Sequence, residues 1–204
     1  MKIKSLIITT VNAAFVVFVL SNCSGKKETT EPQQDETVQA NTEESAAPAS
    51  TPQFQVDTTF QLQLSGVFTS YVSLKDAFVA TDAAKVKAAA AKAQESLSKT
   101  DMKLLTGVAH NDWMNYTVNL ESALKEIQSS DDIEAQRTSF SKLSDSLYKS
   151  IKAYGLGGAT AFYEFCPMAF NNTGGYWLSD VAEVRNPYFG DKMLKCGSVA
   201  EKLN

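Results

Sequence analysis

From Phe60 onward the apolar positions fall at steps of three and four residues, not two. Phe60, Leu64, Val67, Phe68, Tyr71, Leu74 and Phe78 would share one face of a helix, and this spacing predicts a first amphipathic helix. Thr81-Asp82 has the chemistry of a helix cap, and Asp82 to Ser98 reads as an alanine-rich second helix of high intrinsic propensity. Thr100-Asp101 predicts the opening of a third, with an apolar stripe through Trp113, Leu120, Leu124 and Ile127. The cluster Ser129-Ser130-Asp131-Asp132 predicts the start of a fourth, which turns Ile133, Phe140, Leu143, Leu147, Ile151 and Tyr154 inward. Gly155-Leu156-Gly157-Gly158 ends it. Short connections between helices of this length favour antiparallel neighbours. The expected fold is therefore mainly α: an antiparallel four-helix bundle.

After Gly158 the pattern changes. Thr160 to Phe165 is aromatic and strand-like, Asn171 to Gly175 is rich in turn formers, and Asn186-Pro187-Tyr188-Phe189-Gly190 reads as a further turn. This segment is expected to form an irregular C-terminal cap of loops and short strands. Loops carried on a rigid scaffold are a common place for function.

Upstream of Phe54 the pattern is of another kind. Lys2 and Lys4 precede an apolar run from Leu6 to Leu20, short for a membrane span and typical of a secretory signal. It ends Leu20-Ser21-Asn22-Cys23, which resembles a lipobox, with Asn22 standing where a smaller residue is usual. Residues 1–22 are expected to be a lipoprotein signal peptide and Cys23 the lipidated residue. Residues 23–53 are expected to form a disordered tether, since almost nothing in them could bury apolar surface. The globular domain is then 54–204. These features place the protein in the cell envelope, anchored to the outer or inner membrane and facing the periplasm or the surface. Membrane contact is expected through the lipid alone.

The formal net charge is −4, and the leader contributes two lysines and no acid, so the remainder is more acidic still. An acidic chain without a basic cluster is a poor match for nucleic acid.

The residues with distinctive chemistry are few. Cys166-Pro167-Met168 and Met193-Leu194-Lys195-Cys196 each place a methionine near a cysteine, and the chain's one histidine, His110, stands four residues before Met114 on one helix face. Thiolate, thioether and imidazole together suit Cu(I) better than magnesium, calcium or manganese. Other readings stand beside this one. Two cysteines outside the cytoplasm commonly form a disulfide, methionines beside them serve as core filler, and His110 on the inner stripe fits a hydrogen-bonded core residue. A thiol oxidoreductase has little support without a Cys-x-x-Cys pair. No Gly-x-Ser-x-Gly elbow or phosphate-cradling loop is present, and nothing local supports a Cys166–His110 dyad. A non-enzymatic role is expected.

Several of these runs together resemble a known family. Cys166-Pro167-Met168-Ala169-Phe170, Gly175-Tyr176-Trp177-Leu178-Ser179, Asn186-Pro187-Tyr188-Phe189-Gly190 and Met193-Leu194-Lys195-Cys196-Gly197 are similar to domain of unknown function 3347, as are His110 with Trp113-Met114 and Gln136 to Phe140 before Leu143-Ser144. Similar domains occur alone in exported proteins of Bacteroides- and Flavobacterium-like bacteria, and appended to periplasmic adaptors of copper and silver efflux pumps. The resemblance implies heavy-metal handling, with Cu(I) as the metal and an efflux adaptor as a possible partner. The expected centre takes thiolates from Cys166 and Cys196, with Met168, Met193, His110 or Met114 completing it and Trp113 or Trp177 excluding water. Arg137 is expected at the junction of helix and cap, bound to a carboxylate or to loop carbonyls. The competing expectation is a Cys166–Cys196 disulfide in a non-catalytic protein-interaction module.

Overall fold

The computed structural model describes residues 51–204. The leader, Cys23 and the tether as far as residue 50 lie outside the described residues. Among the described residues, the first backbone bonds to the fold are Gln53 N–H to the Lys152 carbonyl (3.2 Å) and Phe54 N–H to that of Ala153 (2.8 Å).

Four long helices follow in order: α1 (Thr58–Val79), α2 (Ala83–Ser98), α3 (Gly107–Ser129) and α4 (Ile133–Tyr154). The inward stripe read for α1 is buried from Phe60 to Phe78. Aspartates open three of the four by accepting first-turn N–H groups: Asp57 from Thr59 (2.7 Å), Asp82 from Lys85 (3.0 Å) and Asp132 from Glu134 and Ala135 (3.2 and 3.3 Å). α4 stops at Gly155, as the glycine run predicted.

The third start is a correction. Asp101 does not open α3; its carboxylate accepts from Lys103 two residues on and closes only a 3-10 turn, Met102–Leu104. Leu105 then runs extended and buries its side chain, which breaks the helix, and α3 begins at Gly107.

Phe60 packs on Tyr154 and Trp113, whereas Phe78 packs on Phe140. The start of α1 thus meets the end of α4, and the two helices run in opposite directions. No helix among the described residues is long and apolar enough to cross a membrane.

The C-terminal part is more regular than the expected irregular cap. β1 (Ala161–Cys166), β2 (Gly175–Ser179) and β3 (Ser198–Leu203) form an antiparallel sheet in the order β2-β1-β3, with Glu164 opposite Trp177 and Cys166 opposite Gly175. Tyr71 joins this sheet to the helices. Its buried hydroxyl bonds to Ser144 Oγ of α4 (2.6 Å) and accepts the Leu178 N–H of β2 (3.1 Å). Burial pushes its phenol well above the ordinary value, so it stays protonated and serves both partners. On the other face Tyr148, Tyr163, Tyr176 and Phe165 stack in series, 3.8, 4.8 and 4.4 Å between neighbouring centroids.

Candidate functional site

Cys166 ends β1, where Pro167 cannot continue the strand's hydrogen bonding, and Cys196 closes a tight turn through its N–H to the Met193 carbonyl (3.0 Å). β1 and the start of β3 bring the two turns together. The two cysteines lie near enough that Cys166 and the Met168 backbone N–H both act on the Cys196 thiol. Both are free thiols; Cys166 is fully buried and Cys196 half-buried. Burial and the neighbouring Cys166 push the Cys196 thiol up to about 11, so at neutral pH it is protonated and a poor nucleophile. Cys196 is therefore chemically quiet until something replaces its proton.

Asn186 holds the second turn in place, a role that its position in a turn motif did not reveal. It is fully buried. Its side-chain amide donates to the Cys196 carbonyl (2.8 Å) and its carbonyl accepts from Tyr188 N–H (2.8 Å), while its backbone N–H reaches the Leu194 carbonyl (2.8 Å). Next to Cys196, Gly197 sits at φ +140°, and a Cβ there would meet the Trp177 ring at 2.9 Å and the Phe165 carbonyl at 2.8 Å. Trp177 thus packs against the cysteine turn and is fully buried.

Met168 and Met193 line one cavity of about 460 Å³ with Arg137, Phe170 and Tyr188. The cavity's rim is strained. Phe170, Asn171 and Asn172 have φ of +51°, +58° and +65°, three successive left-handed residues without a glycine. Such residues cost about 1–2 kcal/mol each for most side chains and gather at functional sites. The turn is held by Gly174 N–H to the Ala169 carbonyl (3.0 Å) and by Thr173, whose hydroxyl donates to the Phe170 carbonyl (2.8 Å).

Arg137 lies where expected, between helix and cap. It donates to the Pro187 carbonyl (3.0 Å), Glu134 (2.6 Å) and the Thr81 hydroxyl (3.2 Å). Behind the cysteines, Glu164 is fully buried opposite Trp177, and neither carboxylate oxygen has a hydrogen-bond partner. Burial pushes its carboxyl up to about 7, against the opposing pull of Lys75 and the Trp177 N–H.

His110 and Met114 do not join this group. Trp113, beside them on α3, packs against Phe60 and Tyr154, whereas the cysteine turns sit with Tyr188, which packs on Trp177 and on Phe140. Phe60 and Phe78 mark the two ends of α1, about 27 Å apart at 1.5 Å per residue. The helix-face pairing of His110 and Met114 therefore leads to a different place, and Trp113 shields the far end of the fold rather than the thiols. Nor is His110 a core residue: it is half-exposed, with Nδ1 3.3 Å from the Met102 carbonyl. Among the described residues no three His, Cys, Asp or Glu side chains lie together as a group that could hold a metal ion.

The fold and site describe a mainly helical domain with a small C-terminal sheet whose ends bring two cysteines near each other. Residues 67–158 match the family model described as protein of unknown function (DUF3347). The match supports the domain-of-unknown-function family over the helices, for rather less than half of the 204 residues; the cysteine-bearing motifs fall beyond it. No curated protein and no solved structure matches the chain.

Proposed function

We propose that this domain binds one soft heavy-metal ion, Cu(I) above others, between Cys166 and Cys196, with Met168 and Met193 as further sulfur donors. In this reading the four long helices form an antiparallel bundle that holds the sheet and its loops. The chain is a non-catalytic envelope lipoprotein, anchored through lipid on Cys23, that works in copper handling beside an efflux adaptor. The observation that carries the reading is that two free cysteines from separate turns come near enough to act on each other, with the Met168 backbone N–H beside Cys196. A thiolate gains from that N–H and from a soft cation, and Trp177 keeps water off the ion.

The donors fit the ion. Thiolates and thioethers satisfy Cu(I) at low coordination number, and among the described residues no carboxylate cluster competes for a harder metal. Reduced full chain, titrated anaerobically with Cu(I) against a chromogenic chelator, is expected to take one tight equivalent that is lost on Cys166→Ser or Cys196→Ser. Failure to compete with the chelator would end the reading.

The same proximity supports a second reading. Oxidised, the thiols would close a loop of about 30 residues, worth roughly 2–4 kcal/mol, and the domain would be a stapled interaction module. A thiol count on protein isolated from the envelope separates the two: free thiols for the metal site, none for the staple.

A further inference from the structure

Methionine is normally a filler of irregular core space. Here the core is made of Phe, Leu, Val, Ile, Ala, Tyr and Trp, and none of the four methionines among the described residues belongs to it. Met193 is half-buried, and Met102, Met114 and Met168 are 37%, 43% and 47% exposed. Two of the four flank the cysteines; the other two flank the chain's one histidine at the opposite end of the helices.

The surroundings of His110 prepare it as a ligand. A carbonyl can only accept, so the tautomer that donates from Nδ1 to the Met102 carbonyl is the one that leaves the Nε2 lone pair free. A backbone carbonyl holding the second ring nitrogen is the support that metal-binding histidines usually have. Met114 lies one turn along the same face of α3, and Met102 belongs to the very turn whose carbonyl His110 contacts. The three donors available are one imidazole nitrogen and two thioethers, all neutral and all soft or intermediate.

We propose that His110 Nε2, Met114 Sδ and Met102 Sδ form a second, surface site for a soft monovalent ion, Cu(I) or Ag(I). It differs in kind from the thiol centre. Its ligands lose no proton on binding, so it loads without the deprotonation that Cys196 demands, and without thiolate charge it binds more weakly. Such a site suits collection of an ion from solution or from a donor, ahead of tighter capture elsewhere. It stands whether or not the cysteines bind metal.

The test uses the full chain with Cys23, Cys166 and Cys196 replaced by serine and its methionine methyls labelled with carbon-13. Ag(I) alone is added while methyl and imidazole signals are followed by NMR. The Met102 and Met114 methyls, identified by their loss on Met102→Leu and Met114→Leu, are expected to shift together with the His110 ring and saturate at one equivalent. His110→Ala is expected to weaken binding at least tenfold with an unchanged circular dichroism spectrum. Absence of these shifts, or equal unsaturated shifts of all methionines, would overturn the proposal. The cysteine-free background keeps the result separate from the thiol reading, which stands or falls on the chelator competition with intact cysteines.

Discussion

Arg137 on α4 donates from Nε to the Pro187 carbonyl at 3.0 Å and from a terminal nitrogen to the Thr81 hydroxyl at 3.2 Å. One planar side chain thereby ties the helices, the α1–α2 corner and the Asn-Pro-Tyr-Phe-Gly turn. The turn approaches closely because Gly190, at φ +56°, lies where any Cβ would collide with the Thr81 hydroxyl and the Val79 carbonyl.

Removing that guanidinium leaves a buried carbonyl without its donor. Arg137→Ala is expected to cost about 2–3 kcal/mol, and Arg137→Lys to recover little of it, because an ammonium cannot serve three divergent acceptors. Urea unfolding of both variants checks this; a lysine variant as stable as the parent would contradict it.

Glu164 predicts a pH dependence. Its carboxyl titrates at about 7 in the fold against an ordinary 4.5, so folding favours the protonated form. The stability this provides is full below pH 4.5, falls as pH rises, and is gone above about 7. The difference is roughly 3 kcal/mol at 1.36 kcal/mol per unit. Urea midpoints at pH 5 and pH 8 should differ in that sense, and Glu164→Gln should flatten the difference.

The left-handed run offers a backbone test, since Asn171 is exposed and lies outside the core. Asn171→Gly is expected to be neutral or to stabilise by up to about 1 kcal/mol, and Asn171→Val to destabilise by about 1–3 kcal/mol. Thermal unfolding of the pair reads the difference directly. Equal stability of the two would remove the strain argument.

Proton release tests the thiol chemistry. With the Cys196 thiol pushed up to about 11, Cu(I) binding at pH 7.5 must displace its proton completely. Calorimetry in buffers of different ionisation enthalpy should show at least one proton released per ion, and Cys196→Ser should abolish that contribution.

The helices are legible in the sequence because their apolar stripes are long and their caps are aspartates: the inward residues of α1 and the Asp82 and Asp132 caps lie where spacing puts them. The start of α3 is not, because Asp101 satisfies a nearer N–H and Leu105 finds its place in extended backbone. The sheet was only half visible. β1 is aromatic and reads as a strand, but β3 carries Glu201 and Lys202 and depends on pairing that no local pattern records. At the candidate site, local sequence shows a methionine beside each cysteine but not that the two cysteines come near each other, which depends on β1–β3 pairing and on the Asn186 clamp. The separation of His110 from the cysteines is likewise a property of the tertiary fold: helical spacing puts it one turn before Met114 and is silent on which end of the helices the sulfur turns occupy.

The most direct test of the thiol centre is copper K-edge X-ray absorption on reduced protein loaded anaerobically with one equivalent of Cu(I). The account predicts a first shell of sulfur alone, which changes on Cys166→Ser or Cys196→Ser and not on His110→Ala. A shell dominated by nitrogen or oxygen, or one indifferent to both cysteines, would contradict it.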